Sequence, residues 1–357
     1  MSTSERKNLI SQLEKKLNTK IIAIVTGDRQ RMETRIAPDL LPLVSEHLSE
    51  IGACDSLSLF IYTPGGDSIA GWGLVNLLRQ YCKEFKVLVP FRALSCGTLI
   101  CLGADELVMG KRGILSPVDP SVSSPFNPVA PGNPVPGSVQ LLPVSVEDMI
   151  GFLDLARKEI GLKTEESMTT VLEILSDKVN PLALGAVYRA REQSNDLAKR
   201  LLSSHHKDDE AKIERITTKL TQDLPTHNYL IGRAEAQNDI ELDITIPSDE
   251  VDDLMWQLYQ KYQSWLKLTT PFSPEIDLGE EHQKTIRYER ASIESISKDR
   301  LKQHIFISDN RLIRVSMPPA APTLPGVQPN PPGQIGQIVI NTLFQGWLAH
   351  NDGEEIR

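Results

Sequence analysis

From Ile21 to Met109, short apolar runs alternate with stretches of helical spacing, and this alternation restricts the fold more than any other feature of the chain. The apolar runs are Ile21 to Val25, Leu57 to Tyr62, Val87 to Val89 and Leu107 to Met109. Between them Leu40, Leu41, Val44 and Leu48, then Ile69 to Tyr81, then Thr98 to Gly103, recur at helical intervals. A helix between two strands carries the chain back over the sheet, so the second strand pairs parallel to the first. Strands buried on both faces read as unbroken apolar runs. The sequence therefore predicts an α/β fold with a parallel sheet built of βαβ units.

The 357 residues suffice for one large domain or two ordinary ones. Residues 117–137 are rich in proline and read as a loop. A block at about 145–222 has helical spacing over Val146 to Ile160, Glu165 to Leu175, Pro181 to Leu202 and Asp208 to Leu220. It is expected to be a helical insertion on the α/β core. Ser248 is placed to cap a further helix that carries Val251, Leu254, Met255 and Leu258 on one face. Residues 284–296 alternate as a strand, and Asp309-Asn310-Arg311 reads as a hairpin turn between two more. The expected organisation is one domain over 1–317, a proline-rich linker over 318–334 and an amphipathic tail over 335–357. In the tail, Ile338, Val339, Leu343, Phe344 and Trp347 predict a helix from Ile335 to Leu348 that docks on the chain's own core, a neighbouring subunit or a protein partner.

Composition excludes several classes. The net charge is −9 and there is no basic stripe, which argues against nucleic-acid binding. The first seventeen residues read as a charged amphipathic helix, unlike a signal peptide. Nowhere do about eighteen apolar residues run together, so no membrane span is expected. Cys54, Cys82, Cys96 and Cys101 form no C-x-x-C pair and read as reduced thiols, which places the protein in the cytoplasm. No histidine, cysteine and carboxylate cluster has metal-ligand spacing, and no G-x-G-x-x-G fingerprint occurs, so neither metal nor cofactor is expected.

Two strand–turn–helix junctions carry the chemistry. At Thr63-Pro64-Gly65-Gly66-Asp67, paired glycines let the backbone turn sharply and present N–H groups. Such a turn can hold an oxygen that gains negative charge during acyl transfer. Taken alone, it reads as a tight turn. At Ala93-Leu94-Ser95-Cys96-Gly97-Thr98, a serine stands between a strand and an apolar helix, as at a nucleophile elbow, although the sequence is not G-x-S-x-G. Its other reading is a helix cap. Neighbouring parallel strands would bring both turns to one sheet edge, where open α/β sheets bind ligands.

Thr63-Pro-Gly-Gly, Leu94-Ser-Cys-Gly-Thr, Gly103-Ala-Asp-Glu-Leu-Val-Met and Leu115-Ser-Pro-Val-Asp-Pro occur in that order. Asn180-Pro-Leu-Ala-Leu-Gly, Thr226-His-Asn-Tyr-Leu-Ile and Arg233-Ala-Glu-Ala follow. Over residues 5–317 the chain resembles the serine dehydrogenase proteinase family, a Clp/crotonase-fold group related to the Clp proteolytic subunit and signal peptide peptidase A. The resemblance implies a serine peptidase acting on polypeptide, with Ser95 as nucleophile and the Gly66 and Cys96 N–H groups as oxyanion hole. It also implies a homo-oligomer assembled through helical elements beside the core. Cys96 departs from the alanine usual in the family. A thiol nucleophile there is the lesser reading, because cysteine commonly fills small buried sites. Two other functions stay open: a crotonase-like acyl or thioester enzyme, and a catalytically silent scaffold or sensor.

The general base is less direct. The Clp proteolytic subunit has its histidine shortly after the serine, but none lies between Ser95 and the insertion here. That stretch offers Asp119, and the later stretch ahead of Arg233-Ala-Glu-Ala offers His227. An exchange of positions predicts His227 as base and Asp119 as the group that orients it, since triads are defined by geometry rather than chain order. Lys111 is the rival base, after the lysine of signal peptide peptidase A relatives. His205 and His206 read as a solvated helical face, and the remaining histidines have no motif around them.

Overall fold

The computed structural model describes residues 3–118, 121–122, 125–129, 141–142, 144–205, 209–224, 226, 228–315, 337–351 and 354–355. Helix α1 (Thr3–Leu17) leads into β1 (Lys20–Thr26), α2 (Leu40–Ile51), β2 (Cys54–Tyr62), α3 (Ser68–Arg79) and β3 (Cys82–Val89). The short β4 (Arg92–Ala93) precedes α4 (Cys96–Cys101), followed by β5 (Glu106–Met109) and β6 (Ile114–Leu115). Then come β7 (Ser121–Val122), β8 (Val144–Ser145), α5 (Val146–Asp154), α6 (Glu165–Lys178), α7 (Pro181–Ser203) and α8 (Glu210–Thr218). The chain continues through β9 (Ile231–Gly232), α9 (Arg233–Asn238), β10 (Ile244–Thr245), α10 (Asp249–Leu266) and α11 (Pro274–Leu278). It ends with β11 (Gln283–Ser297), β12 (Arg300–Val315), β13 (Gln337–Asn351) and β14 (Glu354–Glu355).

The main sheet has nine strands in the order β10-β5-β3-β2-β1-β11-β12-β13-β14. Its first five strands pair parallel. From β11 onward every pairing is antiparallel. The expected α/β architecture with parallel βαβ units is thus observed, together with an antiparallel extension.

Ile21 to Val25 and Leu59 to Tyr62 are buried because helices cover both faces of the parallel strands. On one face α2, α3 and α4 pack with α7, α8 and α9 around Leu48, Leu74, Ile100 and Leu201. On the other, α1 and α10 pack Leu13, Met255, Leu258 and Tyr262 against Ile21, Ala23 and Phe60. Each such aliphatic side chain contributes about 1.5–3 kcal/mol by leaving water.

The helical block forms as the spacing predicts. Asn180 caps α7 by accepting from the Leu182 N–H at 2.9 Å, with Pro181 in the first turn, where its missing N–H costs nothing. The C-terminal half of α7 buries Leu197, Ala198, Leu201 and Leu202 on the core. Ser248 caps α10 as expected.

Two expectations fail toward the C-terminus. Asp309-Asn310-Arg311 is not a turn but lies inside the continuous strand β12, which carries a register shift against β13 at Asp309/Asn310. The hairpin turns at Lys298 and Asp299, both left-handed at φ 48° and 59°, as a two-residue turn matching strand twist requires. The tail is not a helix: residues 337–351 form β13, paired along β12. Ile338, Val339 and Ile340 favour a strand, and a ready-made edge on β12 decides between two periods that short apolar runs leave ambiguous.

Candidate active site

Backbone bonds lock the two junctions together. The Thr63 N–H donates to the Arg92 carbonyl at 3.0 Å, and the Leu94 N–H donates to the Thr63 carbonyl at 3.1 Å. The glycine turn, which follows β2, therefore sits directly against the serine turn, which follows β4. Gly65 and Gly66 adopt φ 117° and 155°. A Cβ on Gly66 would lie 2.1 Å from the Ile36 carbonyl oxygen, and one on Gly65 would lie 3.0 Å from Ser95 Cβ. Only glycine allows both approaches.

Ser95 occupies φ 51°, ψ −111°, a strained conformation for a side-chain-bearing residue. Its hydroxyl does not cap α4 and has no hydrogen-bond partner among the described residues, so the helix-cap reading fails. The serine is half-buried. The strain is held by a chain of hydroxyls. The Ser95 N–H donates to Ser116 Oγ at 2.7 Å, and the Ser116 N–H donates to Thr98 Oγ1 at 3.0 Å. Thr98 Oγ1 in turn donates to the Ala93 carbonyl at 2.8 Å.

The N–H groups of the two turns can be accounted for one by one. Gly65 donates to Thr63 Oγ1 and Asp67 to the Ile36 carbonyl. Leu94 donates to Thr63, Ser95 to Ser116 and Gly97 to the Leu94 carbonyl. Among the described residues, the Gly66 and Cys96 N–H groups have no acceptor. In the parallel bridge of Gly66 with Ile36, Gly65 and Asp67 make the bonds, so the Gly66 N–H faces the opposite side.

Cys96 is buried, and burial pushes its thiol pKa up to about 12. Its Sγ donates to the Asp67 carbonyl at 3.1 Å, which ties α4 to the cap of α3. A buried neutral thiol in that position is packing, not a nucleophile.

The remaining expected residues fall as follows. His227 and Asp119 lie outside the described residues. Lys111 is exposed and ion-paired with Asp249 at 2.7 Å. His205 is half-buried rather than solvated, with Nε2 2.8 Å from the Leu102 carbonyl at the end of α4, whereas His206 lies outside the described residues. His47 and His304, which have no motif around them, form a buried pair 3.0 Å apart between α2 and β12. No group of histidines, cysteines and carboxylates suited to a metal occurs among the described residues. Ser116 and Ile36, which shape the two turns, carry no periodic or spacing signal; Ser116 stood out only within the Leu115-Ser-Pro-Val-Asp-Pro motif.

An unbonded serine hydroxyl thus stands in a strained turn beside two unspent N–H groups, an arrangement that can support acyl transfer. Residues 2–131 match the family of ClpP-like SDH-type serine proteinases. The match spans both junctions and ends before the helical insertion, and the resemblance read from the motifs is to this family. Two uncharacterized proteins of Methanocaldococcus jannaschii are 28% identical over 206 and 208 residues. The aligned parts cover 57% and 56% of this chain, and 59% and 64% of the relatives' own lengths. Among solved structures, a variant of the 1510-N membrane-bound stomatin-specific protease aligns over 65% of this chain and 83% of its own, at 14% identity and TM-score 0.34. ClpP1 from Listeria monocytogenes aligns over 67% of this chain and 99% of its own, at 15% identity and TM-score 0.35.

Proposed function

We propose that the chain is a serine peptidase that cleaves polypeptide through an acyl-enzyme on Ser95. The observation that carries this reading is the placement of the free Ser95 hydroxyl against the unspent Gly66 and Cys96 N–H groups. Ser95 Oγ attacks the scissile carbonyl carbon and loses its proton to the base. The carbonyl oxygen becomes an oxyanion that accepts from Gly66 and Cys96. Collapse breaks the C–N bond, and the base returns the proton to the departing amine. Water then repeats the sequence on the ester and frees Ser95. One oxyanion donor is worth about 100- to 1000-fold in rate.

His227 is the base in this reading, with Asp119 orienting its imidazole. Lys111 is the weaker choice, because its ammonium is engaged by Asp249 and its pKa is raised by that bond, which opposes service as a base. A cytoplasmic setting and a homo-oligomer built through the insertion belong to the same reading. The assembly is supported by exposed Leu155, Ile160, Leu172 and Ile174 on the insertion. Among the described residues no helix is long and apolar enough to cross a membrane. The experiment that tests the reading is covalent labelling by a fluorophosphonate, with Ser95→Ala as control.

A further inference from the structure

The four cysteines show no spacing pattern in the sequence, yet the fold brings two of them together. Cys54 opens β2 and Cys82 opens β3, and in the parallel pairing of these neighbouring strands the two are register partners. Both side chains pack against the core cluster formed with α2 and α3, so they stand on the same face of the sheet. Their sulfurs converge on one turn, where α3 gives way to β3. Cys82 Sγ donates to the Leu78 carbonyl and Cys54 Sγ to the Tyr81 carbonyl, each at 3.5 Å.

Neighbouring strands run about 4.8 Å apart. A disulfide needs Cα atoms about 4.4–6.8 Å apart and side chains directed alike, and register partners on one face of a sheet meet both conditions. Both thiols are free and half-buried, so a small reagent can reach them. Cys96 and Cys101, by contrast, are shielded in the core. Burial pushes the Cys82 thiol up to about 11, and its neighbour Cys54 adds to the rise. Burial raises Cys54 as well, with Lys20 opposing it. Both are therefore protonated thiols at neutral pH, and the pair is slow to oxidise unaided.

We infer that Cys54 and Cys82 form a thiol–disulfide site, which a small-molecule disulfide closes into a reversible bridge between β2 and β3. Cys54 is the point of entry, because Lys20 favours its thiolate. That thiolate attacks one sulfur of the reagent, forms a mixed disulfide and releases one reagent thiol. Cys82 then loses its proton and attacks the Cys54 sulfur, which forms the Cys54–Cys82 bond and releases the second reagent thiol. Two protein thiols are oxidised, one small disulfide is reduced, and the two protons pass to the released thiols. The loop so closed, residues 55–81, holds the rest of β2, the glycine turn and α3. Closing it restricts the unfolded chain, so the bridged form is the more stable. In a reducing compartment such pairs are transient and redox-sensing rather than permanent. The site lies at the opposite end of β2 from the glycine turn and does not depend on the chemistry of Ser95.

The test is oxidation of the full chain by glutathione disulfide, followed by intact mass and by mapping of linked peptides without reduction. The expected product is lighter than the reduced chain by two hydrogen atoms, carries a single link between Cys54 and Cys82, and unfolds at a higher urea concentration. Dithiothreitol should return both the mass and the midpoint. In Cys82→Ser the reaction should stop at one glutathione adduct on Cys54, and in Cys54→Ser no bridge should form. An unchanged mass overturns the inference. So do glutathione adducts that persist on both residues, a link made through Cys96 or Cys101, and a bridge that forms only once urea has unfolded the chain.

Discussion

Strands β1 and β2 bury almost wholly apolar runs, whereas β11 and β12, in the same sheet, bury Ser292, Glu294, Ser295, Gln303 and His304. Glu294, Ser295 and His304 among them meet partners from distant elements. The Arg6 guanidinium of α1 meets Glu294 at 2.9 Å, and Tyr262 of α10 donates to the same carboxylate at 2.6 Å. His47 of α2 bonds Ser295 at 2.6 Å and His304 at 3.0 Å. The parallel half is held by burial that any apolar side chain of similar size would supply. The antiparallel half is held by pairings that fail if a strand slips by one residue, since a slip would turn Glu294 to the opposite face. The first half sets the glycine turn that follows β2 against the serine turn that follows β4. The second half fixes where β13 pairs along β12.

The sharpest way to break this comparison is to remove one partner of the buried pair. Arg6 is 2% exposed and Glu294 fully buried, so Arg6→Leu strands a carboxylate in the interior and should cost about 3–5 kcal/mol in urea unfolding. A conservative trim in the parallel half, Ile24→Val, should cost about 0.5–1.5 kcal/mol. The double variant Arg6→Leu/Glu294→Leu should recover much of the first loss. If Arg6→Leu costs no more than Ile24→Val, the two halves are not held differently.

Ser116→Ala acts on the other half. It removes the acceptor of the Ser95 N–H and should cost about 1–2 kcal/mol of stability. The larger effect is on geometry: kcat should fall by up to about 100-fold with KM little changed, because the nucleophile is no longer held at its angle. Rescue by Ser116→Thr, which keeps the hydroxyl, separates positioning from packing. Unchanged kcat in Ser116→Ala would mean that the turn holds itself.

The smallest effect is in pH. Burial depresses the pKa values of both His47 and His304, with Lys302 adding to the depression and Glu46 opposing it at His304. Both imidazoles are then neutral when folded and gain protons on unfolding. Their neutrality contributes stability in full above the ordinary histidine pKa of 6.5, and that stability is lost as pH falls toward the lowered folded values. The unfolding midpoint should therefore drop between about pH 7 and pH 5, and His47→Leu should flatten the slope. An equal slope in both proteins would remove the histidine pair from the account.

How much of this was legible in the sequence follows the same division. The parallel strands and their helices announce themselves, because strands covered on both faces must be apolar throughout. The two junctions were legible because glycine pairs and a serine before a helix are local signals. The antiparallel half was harder. The polar residues it buries look like surface residues until Arg6, His47 and Tyr262 are brought to them from distant elements. β13 was misread as a helix because its apolar residues satisfy both periods, and the choice belongs to the edge of β12. Ile36 shapes the site through its backbone N–H and C=O, and Ser116 through one hydroxyl that accepts from a backbone N–H, and neither leaves a periodic pattern to read.

The most direct measurement of the central claim is the intact mass of the full chain after reaction with a fluorophosphonate, followed by mapping of the modified peptide. One adduct is expected, on Ser95, formed faster as pH rises through the titration of the base and absent from Ser95→Ala. A chain that stays unmodified, or an adduct that persists in Ser95→Ala, would contradict the assignment of Ser95 as the nucleophile.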